Sequence, residues 1–290
     1  PWEKCEVAWG NTGKHLPWTC SSGGSQTVHA MTRAAHAAAM DARTKLQEIA
    51  AKTFGGSPAS YRVANERVFG GGRSMTLAQA AQKAIEFGGK YDGHEVPENI
   101  NAFTKRSTAM LAGQGLVGVA RDTYPRAGAS YAFIIGFAEV EVDVETGHYQ
   151  VLDYLVVGDV GTVLNPRSLG GQLLGGSLQG MGHAMSQKWV YDQHYGVPLA
   201  KRFHHNRPPT ILDAPVKMQW AALDIPDPET PVGVKGVGEP PVGAGFATVL
   251  VALADAVGHD VFRRFPVTSD MILTSLESGV RVTEPLTANI

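Results

Sequence analysis

Lys235-Gly236-Val237-Gly238-Glu239-Pro240-Pro241 runs straight into Val242-Gly-Ala-Gly-Phe-Ala-Thr-Val-Leu-Val-Ala-Leu-Ala-Asp-Ala-Val257, and this join constrains the fold more than any other part of the chain. The second stretch is small and apolar along nearly its whole length, which predicts a buried helix. The proline pair fixes the backbone at its start and restricts the residue before it, so Glu239 is mounted on a stiff elbow ahead of a helix N-terminus. First-turn N–H groups of a helix lack intrahelical partners and favour an anion. A fixed carboxylate beside such a site is the arrangement a general base requires.

The same pattern recurs. Ser21-Ser-Gly-Gly-Ser-Gln-Thr27 leads into an alanine-dense stretch that predicts a long helix over 28–51, and Gly170-Gly-Gln-Leu-Leu-Gly-Gly176 predicts the start of a helix running to about Trp189. Each turn carries polar side chains: Ser25, Gln26 and Thr27, then Gln172, then Glu239. If the turns meet, their donors form a cradle for phosphate and a polar heterocycle. Between them, Glu3 to Trp9 reads as a short strand followed by a loop through Pro17-Trp18, 53–75 as mixed structure broken by Gly55-Gly56 and Gly70–Gly72, and 76–87 as a helix capped by Thr76. Residues 88–108 read as loop. Tyr131–Val157 reads as a hairpin turning at Glu145-Thr-Gly-His148, because Val140, Val142 and Val144 alternate with Glu139, Glu141 and Asp143. Residues 191–230 read as irregular and proline-rich, and 270–277 as a last short helix.

Composition narrows the function classes. The 290 residues suffice for a sizeable core, and with 43% hydrophobic and 18% charged residues the balance is that of a globular protein. A net charge of −2 without a basic block argues against nucleic acid as a main partner, and no apolar run is long enough to span a bilayer. Cys5 and Cys20, with no Cys-x-x-Cys pair, exclude an iron–sulfur cluster built by this chain alone and fit a reducing, cytoplasmic setting, with the periplasm left open. No signal peptide is visible, and a start at Pro1 is expected of a processed chain or a fragment.

Gly236-Val-Gly-Glu239-Pro-Pro, the Gln172 turn, the Gly23-Gly-Ser-Gln-Thr27 turn and Ala138-Glu-Val-Glu-Val-Asp-Val-Glu-Thr-Gly147 together resemble the molybdenum-cofactor subunit of the xanthine oxidase family, in its C-terminal portion. The resemblance implies an α+β fold with mixed sheets and packed helices, divided into a first cofactor-binding subdomain at 1–130 and a second at 131–290. It implies molybdopterin, or its cytosine dinucleotide, holding molybdenum with oxo, sulfido and hydroxo ligands through the dithiolene, with no protein ligand to the metal. Glu239 is then the base that deprotonates the hydroxo ligand, and Gln172 stands beside the oxo group. Gly24, Ser25, Gln26, Thr27, Gly171, Gly236 and Gly238 line the cofactor. The product is a molybdenum hydroxylase acting on an electron-poor carbon, its electrons leaving through 2Fe-2S centres, with FAD as a further possible carrier, on partner subunits. A second molybdopterin-binding polypeptide is expected to supply the other half of the site, including the walls that choose the substrate.

Blander readings stand beside these. Glu239 alone could be an acid stabilising a helix N-terminus, Gln172 a first-turn polar residue, and Ser25 to Thr27 a helix cap. The whole chain could be a non-catalytic assembly scaffold of the same complex. Gly113-Gln-Gly115-Leu-Val-Gly118 matches a dinucleotide fingerprint in letters, but Asp122, Pro125 and Gly128 follow too closely for a helix to open there. His29 with His36, and His204 with His205, lack a nearby third ligand, so they read as packed or solvated. Lys201, Arg202 and Arg207 read as a solvated loop.

Overall fold

The computed structural model describes residues 1–17, 19–258, 262 and 264–278; Trp18 and residues 259–261, 263 and 279–290 lie outside the described residues. The chain forms two compact units, one of 1–22, 29–127 and 229–231, the other of 23–28, 128–228 and 232–290.

In the first unit the dominant element is helix α1 (Thr27–Phe54), whose first two residues belong to the second unit. It ends at Gly55-Gly56, both with positive φ, close to its expected length. Strands β1 (Arg62–Ala64), β2 (Arg67–Gly70) and β3 (Arg73–Thr76) form an antiparallel meander. Both its turns are two-residue loops, Asn65-Glu66 and Gly71-Gly72, with positive φ at every central position, as tight hairpins require. Helix α2 (Leu77–Phe87) follows, and Thr76 and Gln79 close a reciprocal capping box at its start. Helix α3 (Ala102–Leu111) replaces the expected loop: Asn101 Oδ1 accepts the Phe103 N–H at 2.7 Å and starts it. Ile49, Ala50, Tyr61, Val68, Met75, Ala80, Ala84 and Tyr91 make the core.

The expected strand at Glu3–Trp9 is not present. A short 3-10 turn occupies Trp2–Lys4, and Val7 and Trp9 are exposed, so alternation without a partner strand yields no ladder. The stretch around Gly118 packs on α1, where a methyl group would meet the Ala38 carbonyl, and Lys45 holds it by donating to the Val117 carbonyl at 2.9 Å. Gly118 of the fingerprint-like stretch therefore serves close packing, and no helix follows it.

In the second unit β4 (Phe133–Val142) and β5 (Tyr149–Asp159) form the expected hairpin, and β6 (Lys217–Ala222) joins β5 in parallel, giving a mixed three-stranded sheet in the order β4-β5-β6. Sequence reading had no strand in 191–230; Met218, Trp220 and Ala222 alternate inward there and pack on the core. Helix α4 (Pro166–Met185) begins before its glycines. Asn165 caps it by accepting the Ser168 N–H at 3.0 Å and Pro166 occupies its first position, so Gly170 to Gly176 lie inside the helix.

Helix α5 (Pro240–Ala256) packs against α4 at very close range. A methyl at Gly180 would overlap the Val242 carbonyl, and one at Gly245 the Ser177 carbonyl. Small residues are what let two helix backbones approach this far. Tyr154, Leu173, Met181, Val249 and Leu253 are fully enclosed between the helices and the sheet, and α6 (Ser269–Ser278) adds Met271 and Ile272 to this core. The two sheets and packed helices make an α+β fold.

Candidate active site

Pro240 sets the first residue of α5 and Glu239 is its N-cap, with φ −87° and ψ −34°. Its side chain does not cap that helix. Oε2 accepts the Ser25 hydroxyl at 2.7 Å and Oε1 accepts the Gly24 N–H at 3.1 Å, while Ser25 Oγ accepts the backbone N–H of Glu239 at 2.7 Å. Sequence reading placed the acid beside an anion site on its own helix. The structure instead places the carboxylate on the donors of the Gly23–Ser25 turn.

That turn has the geometry to make such a site. Gly24 and Ser25 lie successively in the left-handed region, at φ 69° and 59°, which directs their N–H groups and the Ser25 hydroxyl toward one side. The Ser25 hydroxyl, then the Gly24 N–H, hold the Glu239 carboxyl below the usual carboxylate range. Glu239 is exposed and, at neutral pH, ionised.

Three of the predicted turns meet here, all within the second unit. A Cβ at Gly238 would stand 3.0 Å from Ser25 Oγ and 3.1 Å from Gln172 Oε1, and a Cβ at Gly236 would collide with the Ser25 carbonyl. Only glycine fits at 236. Gln172 sits in the second turn of α4 rather than at a helix N-terminus, so it contributes a side-chain amide and not helix-end donors. Gly171, Gln26 and Thr27 are exposed; nothing lies within 4 Å of a Cβ built at Gly171 or Gly24.

A second set of contacts, which sequence reading missed, pins the elbow from behind. The Lys235 ammonium donates to Asp159 Oδ2 at 2.7 Å, and its side chain is 13% exposed. Lys235 N–H donates to the Val160 carbonyl at 2.9 Å, and the Gly233 carbonyl accepts from Thr162 at 2.7 Å and Asp227 at 2.8 Å. The chain thus leaves the end of β5 and the elbow returns alongside it, bridged at Gly161 and Val234. The available signal was the pairing of Asp159-Val-Gly161 with a lysine directly before the elbow glycines.

Other features fall elsewhere. A cavity of about 1100 Å³ at the C-terminal end of α4 is lined by His183, Gln187, Trp189, Tyr191 and Phe246 among others, and by none of the predicted site residues. Arg207 pairs with Asp213 at 2.8 Å within its own loop. Among the described residues no group of three or more His, Cys, Asp or Glu is placed to hold a metal ion, and no helix is long and apolar enough to cross a membrane.

An amide, hydroxyls, glycine backbone and one carboxylate are a set of groups that fits a polar heterocycle. Comparison with known proteins points the same way. A family model described as molybdopterin cofactor-binding domain matches residues 1–215. The molybdenum-binding subunit of an Escherichia coli aldehyde oxidoreductase is 28% identical over 281 residues, covering 97% of this chain and 34% of that subunit. Subunit gamma of the 6-hydroxypseudooxynicotine dehydrogenase complex of Paenarthrobacter nicotinovorans is 29% identical over 159 residues, covering 54% of this chain and 20% of the subunit. Among solved structures, a Cu,Mo-containing CO dehydrogenase superposes with a TM-score of 0.66 at 25% identity, covering 91% of this chain and 31% of that one. Quinoline 2-oxidoreductase from Pseudomonas putida gives 0.59 at 26% identity, covering 81% and 28%. The chain spans about a third or less of the length of these relatives. With a family model matched along most of its length, and with relatives that are molybdenum hydroxylase subunits, the chain belongs to the molybdopterin cofactor-binding domain family, of the xanthine oxidase type.

Proposed function

We propose that this chain forms the base-bearing part of a molybdopterin site in a molybdenum hydroxylase, and that Glu239 is the base. The observation that carries this reading is the Glu239 carboxylate held by Gly24 and Ser25, with the Gln172 amide close by. The cofactor, when bound, supplies the metal centre that takes two electrons from an electron-poor carbon as water-derived oxygen is added.

The residues of this chain do the rest. Gln172 offers an amide N–H to the cofactor without adding charge. Gly24 and Gly171 keep side chains out of the space that a planar ligand needs, Gly236 and Gly238 let the elbow close on Ser25 and Gln172, and Gln26 and Thr27 present amide, hydroxyl and backbone donors to the ligand. Glu239 stays ionised near neutral pH and takes up a proton released in the reaction. Its low basicity suits a partner that a metal has already acidified. Ser25 fixes which way the carboxylate points, and the Lys235–Asp159 pair fixes the loop that carries it.

A site of this kind is shared. A second molybdopterin-binding polypeptide completes the pocket, and 2Fe-2S centres on a partner subunit, with or without FAD, remove the electrons. The cofactor is molybdopterin or its cytosine dinucleotide. The test is metal and pterin analysis of the complex purified with its partners: about one molybdenum and one pterin per copy of this chain are expected, and active complex lacking both refutes the reading.

A further inference from the structure

The β4-β5-β6 sheet packs one face on the core and leaves the other open. Along β4, Ile134, Ala138, Val140 and Val142 point inward, whereas Phe133, Ile135 and Phe137 point outward and are 69%, 54% and 54% exposed. The register places Ile135 opposite Val157 and Phe137 opposite Leu155, with Val157 in turn opposite Ala221 of β6. These residues share the outer face and form a mainly apolar patch, with Gln219 opposite Leu155 and Asp159 opposite Phe133 at its margins. Farther along the same face stand Glu139 and Glu141, and Asp153 opposite Glu139, with Lys217 next to Asp153. The outer face is therefore mainly apolar around Ile135 and Phe137, bounded on one side by the Asp159–Lys235 pair, and acidic toward Glu141.

β4 is also an edge strand of its sheet, ten residues long. Natural sheets protect such edges with charge, proline, bulges or short strands. Phe133-Ile-Ile-Gly-Phe137 has no charge and no proline, and the bulge lies beyond it, at Glu139/Val140. A contiguous exposed apolar patch of this kind marks an interface.

We propose that this face docks the polypeptide carrying the rest of the molybdopterin-binding subunit. The inference rests on the function proposed above. What selects the occupant is length: relatives aligned along 97% of this chain devote only 34% of their own length to it, and the matched CO dehydrogenase chain 31%. A domain of this type is accompanied in those proteins by about twice its own length of the same subunit. The docked surface is apolar opposite Phe133, Ile135 and Phe137 and cationic opposite Glu139 and Glu141. A second copy of this chain fits less well, since it brings the same acids and offers on these strands only Lys217, already bound to Asp153.

The experiment is site-specific photo-cross-linking in the complex assembled in cells. A benzophenone side chain is placed at 135 or 137, with 203 as a control, because Phe203 is exposed but lies outside this sheet. Cross-links from 135 and 137, and not from 203, to peptides of a molybdopterin-binding polypeptide are expected. Ile135→Glu should lower the recovery of that polypeptide about tenfold or more, as charge at the centre of an apolar interface does. Near-ultraviolet circular dichroism confirms that the variant is folded. Cross-links to a second copy of this chain overturn the proposal, and so does recovery of the polypeptide and its molybdenum within about twofold of the parent in Ile135→Glu. Either result leaves the proposed function standing if molybdenum and pterin remain bound. A complex that never contains a molybdopterin polypeptide refutes both.

Discussion

Ser25 and Glu239 hold each other in both directions: the Ser25 hydroxyl donates to the Glu239 carboxylate at 2.7 Å, and its oxygen accepts the Glu239 N–H, also at 2.7 Å. The two residues stand 214 positions apart, so this pair fastens the start of α1 to the start of α5.

The first prediction concerns pH. The Ser25 hydroxyl and the Gly24 N–H favour the charged form, so the Glu239 carboxyl titrates below the usual carboxylate range in the folded protein. The stabilisation from this clamp is complete above the unfolded carboxyl pKa and is lost as pH falls through the lower folded value. A carbon-13 NMR titration of the Glu239 carboxyl should give the lowered value, and Ser25→Ala should move it upward. A titration unchanged by Ser25→Ala contradicts the clamp.

The second concerns glycines on the facing helices. Gly180→Ala and Gly245→Ala each place a methyl against a backbone carbonyl that cannot move away, and should cost about 2 kcal/mol or more. Gly175→Ala and Gly243→Ala, on exposed positions of the same helices with no atom near the new methyl, should stabilise by about 0.5–1 kcal/mol. Denaturant melts of all four variants test the contrast, which vanishes if α4 and α5 are not in backbone contact.

A third follows from Lys235. Its largely enclosed ammonium is the partner of Asp159, whose other oxygen, Oδ1, has no hydrogen bond among the described residues. Lys235→Met leaves that carboxylate uncompensated and should destabilise by about 2 kcal/mol, while Lys235→Met with Asp159→Leu recovers most of the loss. Molybdenum content of the complex should fall in the single variant, because the elbow is released. Equal stability of the single and double variants contradicts the role.

Helix α2 provides a fourth. Thr76→Ala removes the hydroxyl that accepts the Gln79 N–H at 3.1 Å and should cost about 1 kcal/mol in a thermal melt. Thr76→Ser should restore nearly all of it.

Periodic and capped elements were legible from residues alone. The alanine-dense α1, the Thr76 cap, the alternation at Val140 and Val142 and the Glu239-Pro240 elbow each carry their own local cause and lie near the expected bounds, whereas Val144 falls past the end of β4 and is exposed, because the chain has already turned there. The short strands β1 to β3 were hidden because three or four residues offer too little alternation, although Gly71-Gly72 marks a tight hairpin. β6 was hidden by the prolines around it, and its Met218-Gln-Trp220-Ala-Ala222 alternation was the readable trace. Glu3 to Trp9 shows the reverse, a strand-like sequence with no partner. At the site, the residue types were legible, while whether the three turns meet was left open by the sequence. What the Glu239 carboxylate binds was not, because its partners come from the far end of the chain and from a backbone turn in a left-handed conformation. Likewise, Gly170 to Gly176 read as a helix start, whereas Asn165-Pro166 starts the helix, and Gly176 with Gly180 serves its contact with α5.

The central claim is that Glu239 acts as the base at a bound molybdopterin, and turnover by the loaded Glu239→Gln complex tests it most directly. Glutamine keeps the shape of the side chain and one of the two oxygens that accept from Gly24 and Ser25, so molybdenum and pterin content should match the parent, while the lost basicity should lower turnover about a hundredfold to ten-thousandfold. Turnover within about tenfold of the parent at equal molybdenum content would contradict the account.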